Sequence, residues 1–329
     1  MREVAESVSR WLESGQAVVL ATVIELEGSS LRPVGSHMAV AASGEIAGSV
    51  SGGCVEGAVF EAAQDLLSGG SPKRLRYGVS DEMGWQVGLA CGGTVEIYLE
   101  PLTPLHAQLV DALAEDASVA LVTDLERGDH LLAWADGRTA GADRLAPLLV
   151  DDVFPGPSAE RRMTPQGEVF VQVFAPPRTL TIVGAVHIAQ PLVRLAQVIG
   201  FRVRVVDARR IFATRERFPT ADELAVAWPS EGVGPEHLRP QDAVVILTHD
   251  AKFDVPALEI ALRSSVGYIG LLGSQTTQMK RRSALVERGF TAQEMARIHG
   301  PVGLDLGGRG PEEIALAILA EIIGSGYAH

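Results

Sequence analysis

The second half of the chain alternates between short apolar runs and amphipathic stretches, from about residue 179 to residue 324. The first apolar run is TLTIVGAV (179–186), and the stretch after it, IAQPLVRLAQVIG (188–200), carries apolar residues at helical spacing. Strands that alternate with helices pair in parallel, because each helix carries the chain back across the sheet. The alternation therefore predicts an α/β fold, with a Rossmann-like doubly wound parallel sheet in this half.

The first half has a different pattern, with strands, a hairpin and few helices. Apolar residues at helical spacing predict helices over 3–14 and 55–67, and the HMAVAA and IAGSV runs around an SGE turn predict a hairpin. No internal repeat is evident. The stiff segment Pro-Pro-Arg at 176–178 predicts a domain boundary. We therefore expect an N-terminal mixed α/β domain over 1–175, with its motifs in 1–103, and a C-terminal Rossmann-like domain over 176–329.

Charge and composition exclude several classes of protein. The 28 basic and 41 acidic residues give a net charge of −13, which argues against nonspecific binding to nucleic acid or to anionic membranes. No run approaches the ~20 apolar residues of a membrane helix, and the N-terminus lacks the apolar core of a signal peptide. Two cysteines do not form a disulfide framework. We therefore expect a cytoplasmic protein with reduced thiols, and a homodimer as the default assembly.

Both cysteines stand beside glycine pairs, as Gly52-Gly53-Cys54 and as Cys91-Gly92-Gly93. Cys54 lies at or just before a predicted helix, where the helix dipole favours a thiolate, and the glycines expose amides that can cradle an oxyanion or phosphate. Thiolates bind soft metals and act as nucleophiles. The alternative is that both cysteines are small buried residues, as free cysteines commonly are. The spacing, without paired histidines, disfavours a zinc site.

A nucleotide-binding fingerprint begins at Gly184, after the first strand of the second half, and ends at Asp207, 23 residues later. The usual G-x-G-x-x-G/A pattern reads Gly184, Val186 and Ala189 here. The β-branched side chain of Val186 replaces the glycine that lets a pyrophosphate approach the backbone. Asp207 can bind a ribose hydroxyl, cap a turn, or pair with a neighbouring arginine.

Other polar residues are open to two interpretations. Arg32 lies in the loop 27–36 and can bind an anion or be solvated. His187 starts the fingerprint helix, where a neutral histidine can cap it. The glycine loop GLDLGGRGPEE (303–313) enters a helix and is another candidate anion site. Ser51 has no evident histidine–acid pair, so a hydrolase triad is not indicated.

These motifs together resemble the XdhC/CoxI family, accessory proteins of molybdenum hydroxylases such as xanthine dehydrogenase and aerobic carbon monoxide dehydrogenase. Nearly the whole chain carries the resemblance, and residues 104–175 carry the least. In the first half the matching runs are GSSLRPVGSHMAV, GSVSGGCVEGAV, LRYGVSDE and GLACGGTVEIYLEPL. In the second half they are TIVGAVHIAQPL, VVDAR, LTHDAKFDVPAL, YIGLLGS and GPVGLDLGGRGPEEIALAILAEI.

The resemblance implies a cofactor chaperone rather than an enzyme. Family members bind molybdenum cofactor as molybdopterin or its dinucleotide form, support its sulfuration with a cysteine desulfurase, and pass it to an apo molybdenum hydroxylase. Cys54 and Cys91 match the family's cysteines, and we expect them to meet in one pocket as ligands of the molybdenum or its transferable sulfur. If the chain has this role, we expect the pterin phosphate to bind the glycine amides and the arginine, which gives a set of candidate cofactor-binding residues: Arg32, Ser51, Gly52, Gly53, Gly92 and Gly93.

The chain departs from the family pattern at two places in the second half. Val186 replaces a glycine, and Gln275 stands where the family carries an arginine. Both departures weaken a nucleotide-binding role. The alternative function is an NAD(P)-dependent oxidoreductase, which would use Gly184, His187, Ala189 and Asp207. A thiol-redox protein ranks third and would need the two cysteine Cα atoms within ~7 Å of each other.

Overall fold

A computed structural model describes residues 1–28, 31–78, 93–148, 158–165, 167–234 and 238–326. The chain divides into two compact units, Met1–Pro176 and Pro177–His329. Within the described ranges, no helix combines the length and apolar character needed to cross a membrane.

The N-terminal unit contains two five-stranded antiparallel sheets, each preceded by a helix. The first half comprises α1 (Arg2–Glu13), β1 (Val18–Glu27), β2 (His37–Ala41), β3 (Ile46–Gly48), α2 (Glu56–Leu67), β4 (Lys73–Tyr77) and β5 (Thr94–Pro101). The second half comprises α3 (Pro104–Ala114), β6 (Val119–Asp124), β7 (His130–Trp134), β8 (Thr139–Gly141), a 3₁₀-helix (Asp143–Leu148), β9 (Ser158–Thr164) and β10 (Gly167–Phe174).

The two sheets have the same strand order, which reveals a structural repeat. The orders are β3-β2-β1-β5-β4 and β8-β7-β6-β10-β9. Equivalent residues occupy equivalent register positions: Thr22 pairs with His37 in the first sheet, and Thr123 pairs with His130 in the second. The expectation that the chain has no internal repeat is therefore wrong at the level of structure. Equivalent positions share mainly apolar character and strand pairing, so the sequence alone does not display the repeat.

The two halves exchange polar contacts reciprocally. Arg74 binds Glu168 at 2.6 Å, and its counterpart Arg161 binds Glu96 at 3.0 Å. Each ion pair thus joins an arginine of one half to a glutamate of the other. Two-fold symmetry produces such reciprocal contacts, because each residue of one half meets the same partner position in the other half. The N-terminal unit therefore has an approximate internal two-fold axis.

The same exchange continues in the buried layer between the sheets. His37 Nε2 lies 3.2 Å from the side-chain oxygen of Gln172, and His130 Nε2 lies 2.6 Å from a carboxylate oxygen of Glu100. Glu100 and Gln172 occupy equivalent positions, opposite Leu20 in β1 and Leu121 in β6. A carboxylate in one half therefore corresponds to a neutral amide in the other.

Glu100, His106 and His130 form a buried cluster whose ligand atoms lie within 4.8 Å of one another, as in a metal site. The hydrogen bonds favour another interpretation. The backbone N–H of Thr103 donates to His106 Nδ1 at 3.2 Å, so a neutral ring carries its hydrogen on Nε2, which faces Glu100 at 3.5 Å. An Nε2–H group is a donor and not a metal ligand. We interpret the cluster as a buried carboxylate held by two imidazoles.

The C-terminal unit is built on one parallel sheet in the order β13-β12-β11-β14-β15-β16. Its elements are β11 (Thr179–Val183), α4 (Ala189–Val198), β12 (Arg202–Val206), β13 (Glu223–Ala225), α5 (Pro229–Gly232), β14 (Ala243–Ile246), α6 (Ala251–Arg263), β15 (Tyr268–Leu271), α7 (Gln275–Val286), α8 (Ala292–Met295), β16 (Ile298–His299) and α9 (Pro311–Gly326). Helices α4 and α9 cover one face of the sheet, and α6 and α7 cover the other. This arrangement confirms the predicted α/β class with a Rossmann-like sheet.

The balance of burial and hydrogen bonding at Glu100 predicts a specific acid sensitivity. Burial raises the pKa of Glu100, but the imidazoles of His106 and His130 that face its carboxylate outweigh burial and lower the pKa to about 2. The charged carboxylate therefore stabilises the fold above its unfolded pKa near 4.5, and this contribution is lost as the pH falls toward 2. We expect Glu100→Gln to fold, since glutamine occupies the equivalent position 172, and to reduce the acid sensitivity by on the order of 2 kcal/mol.

Urea unfolding of the full chain between pH 7 and pH 2 measures this effect. Glu6→Gln, on an exposed face of α1, is the matched control and should follow wild type. Equal pH dependence in wild type and Glu100→Gln would show that the cluster does not contribute to acid sensitivity.

Candidate functional site

Three connections of the N-terminal unit leave the first sheet at the same end. The register shows this, because Thr94 at the start of β5 pairs with Glu27 at the end of β1. The neighbouring pairs of β1 with β2, β2 with β3 and β4 with β5 are also antiparallel. The connections at this end are the β1–β2 loop (28–36), the β3–α2 loop (49–55) and the β4–β5 connection (78–93). Arg32 lies on the first, Cys54 on the second, and Gly93 immediately precedes β5.

The β3–α2 loop folds around the carboxylate of Glu56, which is the first residue of α2. The hydroxyls of Ser49 and Ser51 donate to this carboxylate. Four successive backbone amides also donate to it, at distances of 2.9 to 3.2 Å: those of Val50, Ser51, Gly52 and Gly53. Positive φ angles of 82° at Gly52 and 118° at Gly53 turn the amides toward one point. The loop therefore has the geometry of an anion-binding nest, and the Glu56 carboxylate occupies it.

Sequence analysis did not select Glu56. Burial raises the pKa of its carboxyl group, but hydrogen bonds from Ser49 and Ser51 outweigh burial and hold the pKa at about 2. The group is therefore charged at neutral pH. The run SGGCVE is not a capping box, because position 53 is a glycine and Glu56 is the first residue of α2, so no standard helix-start pattern selects this glutamate. The amides of Gly52 and Gly53, predicted to hold an oxyanion, donate to Glu56 in this structure.

Ser51 and Arg32, both predicted to bind cofactor, make structural contacts within the site. The buried Oγ of Ser51 accepts hydrogen bonds from the amides of Cys54 at 2.9 Å and Val55 at 3.0 Å. Arg32 Nε donates to the backbone carbonyl of Ser49 at 3.0 Å, and its guanidinium pairs with Glu3. Arg32 therefore ties the β1–β2 loop to the loop that carries Cys54.

Cys54 is a free, partly buried thiol that packs against the apolar core beneath α2. Gly52 and Gly53 beside it are exposed, and Leu31 on the adjoining loop is 74% exposed. A Cβ atom added at Gly53 would meet nothing within 4 Å. The space beside Cys54 is therefore open at Gly53, whereas a Cβ atom at Gly52 would lie 3.1 Å from Leu31 Cδ1.

The second cysteine motif is only partly within the described residues. Cys91 and Gly92 lie outside them, whereas Gly93 is described, partly buried, at the start of β5. The strand register brings Gly93 to the end of the sheet that also bears Cys54. The meeting of both thiols in one pocket stays a prediction.

The fingerprint loop of the C-terminal unit is shaped by packing. Gly184 has a φ of 111°, and a Cβ atom there would lie 2.7 Å from Thr248 Cγ2, so the close approach to β14 requires glycine. Val186 packs on the apolar core, and His187 is exposed. Ala189 is buried as the first residue of α4.

Asp207 directly follows β12, and both of its carboxylate oxygens accept hydrogen bonds. The Ala185 amide donates to it at 2.8 Å, and Arg209 donates through its backbone amide, Nε and a terminal nitrogen at 2.7 to 2.9 Å. Burial raises the pKa of Asp207, but hydrogen bonds from Arg209 outweigh this and lower it. Of the alternatives open from sequence, this structure shows turn capping and pairing with Arg209.

In the glycine loop before α9, as in the loop before α2, backbone amides donate to a glutamate of the following helix. The carboxylate of Glu313 accepts hydrogen bonds from the amides of Arg309 at 2.9 Å and Gly310 at 2.8 Å. This candidate anion site therefore also has an internal carboxylate at its amides.

Comparison with known proteins bears on both units. Residues 11–78 match the model of the XdhC and CoxI family, and residues 180–322 match that of the XdhC Rossmann domain. A relative from Bacillus subtilis (strain 168), named as a probable xanthine dehydrogenase subunit, is 30% identical over 326 residues, which cover 95% of this chain and 94% of that protein.

Two further relatives agree over nearly the full length. The molybdenum cofactor insertion chaperone PaoD of Escherichia coli (strain K12) is 28% identical over 314 residues, 94% of this chain and 84% of that protein. The crystal structure of a xanthine dehydrogenase from Bacillus halodurans is 29% identical, with a TM-score of 0.80 over 98% of this chain and 95% of that one. From both units and from the extent of these matches, the chain belongs to the XdhC and CoxI family.

Proposed function

We propose that this chain is a molybdenum cofactor chaperone that binds and protects the cofactor, supports its sulfuration, and inserts it into a molybdenum hydroxylase. The observation that carries the proposal is the convergence of the Arg32 loop, the Cys54 loop and Gly93 at one end of the first sheet. Nearly full-length similarity to a molybdenum cofactor insertion chaperone supports it. In this role the cofactor is cargo that the protein binds and delivers, and the protein does not use it for catalysis.

The chemistry of Cys54 suits the metal end of such a cargo. A thiolate is a soft ligand and binds a sulfur-bearing molybdenum centre better than a hard oxygen donor does. Gly53, which is exposed and at which an added Cβ atom would meet nothing within 4 Å, leaves room for a bulky group beside this thiol. We propose that Cys54 and Cys91 bind the molybdenum end, and that Gly52 and Gly53 contribute by the absence of side chains.

The amides of the Cys54 loop are less suited to the phosphate end. Glu56 already accepts hydrogen bonds from the Gly52 and Gly53 amides, so a phosphate would have to displace a bound carboxylate. We therefore assign the phosphate to other groups at this end of the sheet, among them the amides of Gly92 and Gly93. Ser51 and Arg32 shape the site through the contacts described above.

The proposal extends to partners and organisation. A cysteine desulfurase would supply the sulfur, and an apo-hydroxylase of the xanthine dehydrogenase or carbon monoxide dehydrogenase type would receive the cofactor, as molybdopterin or its dinucleotide form. A cytoplasmic homodimer, with a cofactor-binding domain over 1–175 and a Rossmann-like domain over 176–329, completes the proposal.

An NAD(P)-dependent oxidoreductase is the second candidate. The parallel strand order and the glycine at the first crossover favour it. Val186 in the loop and the bonds between Asp207 and Arg209 count against it, because both occupy positions that a dinucleotide needs.

Cofactor retention tests the chaperone proposal. After anaerobic incubation with molybdenum cofactor and desalting, wild type should retain molybdenum and pterin in equal amounts. Cys54→Ala or Cys91→Ala should lose most of both, since the thiol ligands are removed. Glu287→Gln, an exposed change just after α7 in the C-terminal unit, is the control and should retain the cofactor. Failure of wild type to retain any cofactor would refute the proposal.

Thermal unfolding tests the second candidate. NAD⁺ or NADP⁺ at millimolar concentration should leave the melting temperature of wild type unchanged, because no binding energy is added to the folded state. A clear rise that disappears in Asp207→Asn would instead support a dinucleotide site at the fingerprint loop.

A further inference from the structure

Resting on the proposed function, we infer that Glu56 is the positioning residue of Cys54: its carboxylate is the built-in anion around which the loop folds to present the thiol. This role differs from binding the cofactor. Glu56 acts through the backbone of the loop, and the thiol makes the contact with cargo.

The hydrogen bonds of the loop form a closed set. Each of the six backbone amides from Val50 to Val55 donates either to the Glu56 carboxylate or to Ser51 Oγ. The Ser51 hydroxyl in turn donates to Glu56. The orientation of the Cys54 backbone therefore depends on one carboxylate, directly or through one serine. An ordinary capping box satisfies only one backbone amide with its glutamate.

The second half of the N-terminal unit shows that the fold itself does not require this loop. Gly141 is the counterpart of Gly48, and the amide of Ala142 bonds to His130 as the amide of Ser49 bonds to His37. After this point the second half forms a 3₁₀-helix with Leu145 buried, and it has neither a glycine pair nor a cysteine. The same five-stranded sheet forms around either connection.

The inference explains why a carboxylate, and not an amide, stands at position 56. A glutamine would point an N–H₂ group or a single oxygen at donors that are all N–H or O–H groups, so several hydrogen bonds would be lost. An aspartate keeps the charge but is one methylene shorter, so it would reach only part of the nest. We expect Glu56→Asp to be intermediate between wild type and Glu56→Gln.

Alkylation of Cys54 tests the positioning role without any cofactor. In a Cys91→Ser background, Cys54 is the remaining thiol. Glu56→Gln should raise its rate of reaction with iodoacetamide by about tenfold or more, since several hydrogen bonds to the carboxylate are lost and one such bond already has about a tenfold effect on loop opening. Glu61→Gln, exposed on the same helix, is the matched control and should react like the background protein.

An unchanged alkylation rate in both Glu56→Gln and Glu56→Asp would overturn the inference. If Glu56→Gln does not fold, Glu56→Asp carries the test, with a smaller increase expected. A melting temperature close to that of the background protein, together with the faster reaction, would show that the loop opens locally.

A double-mutant cycle links Glu56 to the cargo. Glu56→Gln and Cys54→Ser should each reduce retention of molybdenum cofactor, and the double variant should lose no more than Cys54→Ser alone, because Glu56 acts through the thiol. Additive losses would contradict the inference. If wild type retains no cofactor but alkylation still responds to Glu56, the proposed function fails while the positioning role stands.

Discussion

Backbone amides outside helices and strands must still find acceptors, and three glycine-containing loops of this protein satisfy some of them with acidic side chains of the chain itself. Glu56 does so for the loop before α2, Glu313 for the loop before α9, and Asp207 for the fingerprint loop. These are the glycine-rich segments that a sequence pattern assigns to external anions. The internal carboxylates give the loops a fixed shape and lower their affinity for phosphate, since an incoming anion must displace one.

Much of the fold follows from sequence because buried parallel strands are read as continuous apolar runs. The strands that escape sequence analysis are polar, such as β4 (KRLRY) and β9 (SAERRMT), whose arginines are bound by glutamates of distant strands. Sequence analysis does not detect the repeat, because residues at equivalent positions, such as Glu100 and Gln172, are different amino acids. The polar strands and the repeat are determined by which strands pair with each other, and strand pairing cannot be read from a single sequence.

The candidate site is predictable in part. The cysteine motif points to Cys54, but the contacts of Ser51 and Arg32 depend on how positive φ angles at Gly52 and Gly53 turn the chain. Glu56 was not predictable in this way, because its role depends on the loop turning four backbone amides toward its carboxylate. Asp207 is different, because the sequence allows it to bind a ribose, cap a turn or pair with an arginine. The hydrogen bonds from Arg209 show which of these contacts it makes.

The internal two-fold of the N-terminal unit has an evolutionary meaning. Arginines and glutamates are exchanged between the halves, so each half satisfies polar groups of the other, as the two chains of a symmetric dimer do. Duplication and fusion of a half-length unit would produce this arrangement. A symmetric pair of identical chains carries every loop twice. Two halves within one chain are free of that constraint: here the first half carries the Cys54 loop, the second carries a 3₁₀-helix at the equivalent place, and each chain has one Cys54 loop.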